Sequence, residues 1–183
     1  MSVQRLINQG NGSSTLGTGL VLVESDARHD LASEVCRMMV NDLLPRLWAL
    51  IDDPAAAQVA LRAWAPSPTE DLQASVVAIR WPHCLLYADG WHRLAVVRKH
   101  RVRIIASNRR RLPAIHVEDL RIDDRVVMMS ASMSDALPIP AIGLAAQKGS
   151  TAGGLAKELA QAATDSDPYG AHAVLSLLAG AAA

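Results

Sequence analysis

Ser75-Val-Val-Ala-Ile-Arg80, His83-Cys-Leu-Leu-Tyr-Ala88, Arg93-Leu-Ala-Val-Val-Arg98 and Arg101-Val-Arg-Ile-Ile-Ala106 follow one another along the chain. Each run is short and bounded by a turn signal, Trp81-Pro82, Asp89-Gly90 or Lys99-His100, and all but the run at 83–88 carry β-branched residues. Such runs are strands, and their close succession predicts a meander of antiparallel strands. Val126-Val127-Met128-Met129, behind the turn Asp123-Asp124, predicts another. Upstream, Leu20-Val21-Leu22-Val23 is an apolar run that reads as a buried strand.

Helical periodicity surrounds these strands. Leu31, Val35, Met38, Met39, Leu43, Leu47 and Leu50 recur at three and four, behind a capping Asp30. This predicts a helix from Leu31 to about Asp52, kinked or split by Pro45. Pro54 opens a second helix that stops before Pro66. Residues 138–154, rich in Pro and Gly, read as a loop, and Leu155 to Ala163 as a helix. His172 to Leu178 fits a strand or a helix equally. Strands grouped apart from helices imply an α+β fold. The length of 183 residues implies a single domain over 1–183, with a flexible Gly/Ser-rich start at 1–19 and a small-residue tail at 179–183.

Composition removes several functions. Lys plus Arg and Asp plus Glu both number 18, so the formal net charge is zero and a nucleic-acid partner is not expected. There is no Phe and there are only two Tyr, so base-stacking platforms lack material. Cys36 and Cys84 form no Cys-x-x-Cys and read as two buried thiols of a reduced, cytoplasmic chain. The start is polar, without the apolar core of a signal peptide, and no run is long enough to span a membrane.

The order of these elements, and several phrases within them, resembles the type-2C (PPM-type, metal-dependent) protein serine/threonine phosphatases. Ile7-Asn8-Gln9-Gly10 resembles that family's opening Asn-Gln/Glu-Asp. Leu20 to Asp26 resembles its first strand and Asp-Gly turn, leading to Ala32-Ser33-Glu34-Val35. Gly90-Trp91-His92-Arg93 stands in the place of a Gly-Asp-Ser-Arg. Ser130-Ala131-Ser132-Met133-Ser134-Asp135 stands in the place of a Ser-Asp-Gly-Leu-Thr-Asp and is the most specific match. Asp165 to Gly170, then Ala173 to Leu178, resemble the closing Asp-Asn and last strand. The resemblance implies an α-β-β-α sandwich of two mostly antiparallel sheets flanked by helices.

It also implies what is missing. The family holds two metal ions, Mn or Mg, on a cluster of aspartates. At those positions this chain reads Gly10, Ser25, Trp91 and Ala131, with the closing pair near Gly170 and Ala171. Hard divalent cations need oxygen ligands, and these side chains include no carboxylate. The expectation is therefore a catalytically inactive phosphatase-like module with no metal, no catalytic residue and no cofactor, acting through protein binding or regulation. The implied partner is another protein: a kinase, a phosphoprotein or a component of a secretion or regulatory assembly. A divergent phosphatase is the alternative, with Asp26, Asp89 and Asp135 as fallback ligands for Mn or Mg after a one-residue slip. A homo-oligomerising structural protein is the third reading.

Two further features bear on binding. Arg101, Arg103, Arg109, Arg110 and Arg111 crowd a hairpin and the loop after it, and form the candidate binding surface against the plainer reading of a charged, protected strand edge. His83 and Cys84 are adjacent on a strand, so they point to opposite faces and do not pair as base and nucleophile.

Overall fold

Leu20–Val23 lies in the middle of a nine-residue strand whose residues from Gly19 to Val23 are all buried. This computed structural model describes residues 2–8, 17–25, 29–64, 72–88, 91–99, 101–107 and 114–179. The chain divides into two compact units, Met1–Asp89 with Pro113–Leu120, and Gly90–Leu112 with Arg121–Ala183. Each unit carries one antiparallel sheet and its own helices, which is the expected α+β class.

The sheet of the first unit has five strands: β1 (Ser2–Asn8), β2 (Gly17–Ser25), β3 (Leu72–Arg80), β4 (His83–Ala88) and β7 (Ala114–Asp119), in the order β1-β2-β3-β4-β7. β1 corrects the expectation of a flexible start over residues 1–19. It pairs with β2 from Ser2 opposite Val23 to Asn8 opposite Gly17, and β2 itself begins at Gly17. The polar composition of β1 hid it, because an edge strand has one side to satisfy and its alternation is weak. Residues 9–16 lie outside the described residues.

The long amphipathic pattern becomes α1 (His29–Met38), a π-helical turn (Met39–Leu43) and α2 (Leu44–Ala49). The pattern is thus split next to Pro45, one of the two outcomes expected of a proline there. The proline falls in the first turn of α2, where its missing N–H costs nothing, and the π turn ahead of it absorbs the mismatch. Val35, Met39, Leu43 and Leu47 share a buried cluster with Val21, Val23, Val76, Leu85 and Tyr87 of the sheet. α3 (Pro54–Trp64) follows as expected and adds Ala57 and Leu61 to that cluster.

The sheet of the second unit has four strands: β5 (Arg93–Arg98), β6 (Arg101–Ser107), β8 (Arg125–Met129) and β9 (Val174–Leu178), in the order β6-β5-β8-β9. The strands at 75–106 thus form two hairpins in different sheets, and not one meander. β4 takes β7 as its second neighbour and β5 takes β8. Local sequence specifies the turn within each hairpin, but which distant strand closes a free edge is a long-range choice. Within the second hairpin Lys99 turns the chain with φ 55°, in the left-handed region. Residues 174–178, open to either reading, are a strand paired with β8.

Residues 138–154 also depart from expectation. They hold α5 (Ile139–Lys148) and the start of α6 (Ala152–Ser166), after a short α4 (Ala131–Ala136). The prolines and glycines are boundary signals. Pro138 precedes α5, Pro140 sits in its first turn and Gly149 ends it. Thr151 then caps α6, its hydroxyl accepting from the Gly154 N–H at 2.9 Å. Val97, Val127, Met129, Met133, Ile142, Leu155 and Leu159 make the core of this unit.

Glycine at position 17 follows from packing. A β-carbon there would overlap the indole ring of Trp48, whose Nε1–H donates to the Thr18 carbonyl at 3.2 Å. Gly17→Ala is expected to destabilise by about 1–3 kcal/mol, the usual cost of overpacking. Gly153→Ala, where a β-carbon meets nothing within 4 Å, should be neutral or slightly stabilising. Urea unfolding of the two variants checks the contrast.

Candidate functional site: the β8–α4 junction

β8 is buried along its whole length and delivers Ser130, itself fully buried, to the start of α4. Ser130 is the N-cap, and its hydroxyl oxygen accepts from the Met133 N–H at 3.4 Å and the Ala173 N–H at 3.0 Å. Its own N–H donates to the Ala173 carbonyl at 2.9 Å. Ser132 donates from its hydroxyl to the Ala171 carbonyl at 2.5 Å, and Ser134 from its hydroxyl to the Ser130 carbonyl at 2.7 Å. Arg93 reaches in from β5, with Nη1 donating to the Leu137 carbonyl and Nη2 to the Ser134 carbonyl, both at 2.6 Å. The junction and the closing segment 171–173 are thus bound together through backbone groups and serine hydroxyls.

Ala131, at the first position of α4, offers a methyl group where the resembled family has a metal-binding acid. The closing segment offers no acid at the matching place either. Gly170 and Ala171 stand there, and a β-carbon on Gly170 would overlap the Asp167 carboxylate and the His172 ring. His172 donates from Nε2 to the Asp167 carbonyl at 2.8 Å, which fixes that ring against the turn. Trp91, ahead of β5, is 46% exposed, and Ser25 is buried at the end of β2. None of these described side chains supplies a carboxylate, so the described residues at these positions do not fit a two-metal centre.

Of the fallback acids, Asp135 lies on α4 and is exposed. Asp26 and Asp89 lie outside the described residues, as does Gly10. Among the described residues no three His, Cys, Asp or Glu side chains gather as a metal ion requires. No helix among them is long and apolar enough to cross a membrane.

Arg101 and Arg103 are exposed on β6. Arg109, Arg110 and Arg111 lie outside the described residues. Arg98, at the end of β5, serves the interior: its Nε and Nη2 donate to the two carboxylate oxygens of Asp124 at 2.8 and 2.6 Å. Asp124 is completely buried. Burial pushes its carboxyl up, but the Arg98 hydrogen bonds, the Arg121 amide and the charges of both arginines outweigh this and hold it below the ordinary carboxylate value. Cys36 and Cys84 are both free and buried. Burial, and secondarily the charge of Glu118, pushes the Cys84 thiol up, so it holds its proton. His83 turns the other way, to Asp119 at 2.8 Å.

Sequence reasoning did not find the Asp124 and Arg93 anchors. Both are charged residues flanking apolar strands, a position that ordinarily means a solvated strand end. The available signal was Ser130 three residues before Met133, an N-cap spacing at the end of a β-branched run.

No family model matches this sequence, and no curated protein matches it. Solved structures do. The serine/threonine phosphatase of S. agalactiae is 14% identical, with a TM-score of 0.65 over 97% of this chain and 98% of that one. The Mycobacterium tuberculosis serine/threonine phosphatase PstP/Ppp is 14% identical, with a TM-score of 0.61 over 98% of each chain. PppA, a key regulatory component of T6SS in Pseudomonas aeruginosa, is 9% identical, with a TM-score of 0.61 over 96% of this chain and 94% of that one. The chain has the fold of the PPM-type serine/threonine phosphatases. At such identities the likeness carries the fold, and activity has to be argued from the residues.

Proposed function

We propose that this chain is a phosphatase-like module that has kept the fold without two-metal chemistry, and that it works in the cytoplasm by binding another protein. The carrying observation is the β8–α4 junction. Ala131, Gly170 and Ala171 stand where acids are expected, and the hydroxyls around them are committed to backbone partners. Metal-assisted phosphate hydrolysis needs a metal-held phosphate and a metal-activated water. Both need oxygen ligands that these side chains do not offer.

The choice of partner class is supported by a protein of the same fold. PppA shares that fold and is a key regulatory component of T6SS. A kinase, a phosphoprotein or a member of a regulatory assembly is the matching class of partner here. Calorimetric titration with Mn²⁺ and Mg²⁺ tests the metal half. The expected result is no saturable heat and no rise in Tm at millimolar metal. A true site binds only the folded chain, so at a metal concentration about 100 times Kd it would add about 2.7 kcal/mol. Saturable heat with a matching rise in Tm would move the reading to a divergent phosphatase using Asp26, Asp89 and Asp135.

A further inference from the structure

β6 ends its sheet. No strand among the described residues pairs with its outer edge, so alternate residues from Arg101 to Ser107 turn backbone N–H and C=O groups away from β5. The two faces of this edge differ in chemistry. Val102 and Ile104 pack towards the helix-side core. Beside Val102 lies an open groove of about 420 Å³, formed with Ile139, Pro140, Gly143, Leu144 and Gln147 of α5. Ile139 is 48% and Leu144 58% exposed. Arg101 and Arg103, one residue either side of Val102, project from the opposite face and are exposed, with exposed Lys99 at the turn.

The charge around the edge is of one sign. β5, β6 and α5 contain no Asp or Glu. In a chain of zero formal net charge this is a local concentration of cations on an open strand.

We propose that the β6 edge receives an extended segment of a partner protein in which acidic and apolar residues alternate, added as a fifth strand beyond β6. Backbone pairing would supply the register. Apolar side chains on one face of the segment would enter the α5 groove, and carboxylates on the other would meet Arg101 and Arg103. Side chains of a strand alternate between faces, so this pattern follows from the geometry of the edge. The proposal rests on the reading of the chain as a binding module, and it adds which surface binds and what it binds.

The test uses the full chain and the fluorescently labelled peptide Leu-Glu-Val-Glu-Leu-Glu-Val-Glu in anisotropy titrations. Saturable binding is expected, with slower amide hydrogen exchange at residues 101–105. Arg101→Ser with Arg103→Ser should weaken binding about tenfold at low salt, from two exposed ion pairs of ordinary strength. Leu144→Ser, an exposed change, should also weaken it. N-methylation of alternate peptide amides should abolish binding in one phase of the alternation and spare it in the other. Three results would overturn the proposal: no binding, equal binding of polyglutamate, or loss of the edge to self-association of this chain. Mn²⁺-dependent phosphate hydrolysis would instead overturn the functional reading on which it rests.

Discussion

Asp124→Ala is expected to cost the protein about 3–5 kcal/mol, the usual price of breaking a buried charge pair from one side. The carboxylate is fully buried and binds the Arg98 guanidinium through both oxygens. It also accepts from the Arg121 N–H at 2.8 Å, closing the turn at Asp123, whose φ is 68°. Its removal leaves a half-buried guanidinium and an inward-facing amide without their acceptor. For a chain of this size the loss corresponds to a fall in Tm of about 10 °C. Asp124→Asn keeps the shape and loses the charge, so it should fall in between.

The same residue sets an acid limit. Its folded-state carboxyl lies below the ordinary value, so ionisation of Asp124 stabilises the fold above the unfolded carboxylate pKa of about 3.9. That contribution is lost as pH falls through the lower folded value. Stability of the wild type should therefore drop below about pH 4 more steeply than that of Asp124→Asn. Urea midpoints measured across this range give the comparison.

Arg125→Ala is the second large effect, also expected at about 3–5 kcal/mol. Arg125 is only 5% exposed and donates to the carbonyls of Gly149, Ala146 and Lys99. Two of these carbonyls close the C-terminal end of α5, where a cation meets the negative end of the helix dipole. The third holds the β5–β6 turn. Burial lowers its guanidinium pKa from the ordinary value, yet the group stays charged at neutral pH. Truncation strands the Gly149 and Ala146 carbonyls, whose bonds to Arg125 are buried, and removes the part-buried tie to Lys99. Arg125→Lys should recover part of the loss, because one ammonium cannot span acceptors arranged for a fork. Thermal unfolding of both variants orders them.

These anchors explain what was and was not legible in the sequence. Strands with a clear apolar period, such as Leu20–Val23 and Val126–Met129, announce themselves locally. So does α3, between Pro54 and the prolines after Trp64. β1 and β7 were hidden because edge strands carry mixed residues and are defined by their neighbours. α5 was hidden because Pro138, Pro140 and Gly149 mark the ends of a helix as well as the body of a loop. The junction was legible as a family phrase around Ser130, and the absence of an acid at Ala131 could be read directly. Its closure could not. That Ser132 bonds Ala171 is a fact of tertiary contact across 39 residues, and that Gly170 has no room for a β-carbon is set by how Asp167 and His172 fold back over it.

Loss of metal chemistry, as proposed for this fold, is decided by turnover. The full chain is incubated with an aryl phosphate and a phosphoserine peptide in millimolar Mn²⁺ or Mg²⁺, with and without chelator. Hydrolysis is expected at the no-protein background, unchanged by the chelator. Metal-dependent hydrolysis that disappears in Asp26→Asn, Asp89→Asn or Asp135→Asn would contradict it.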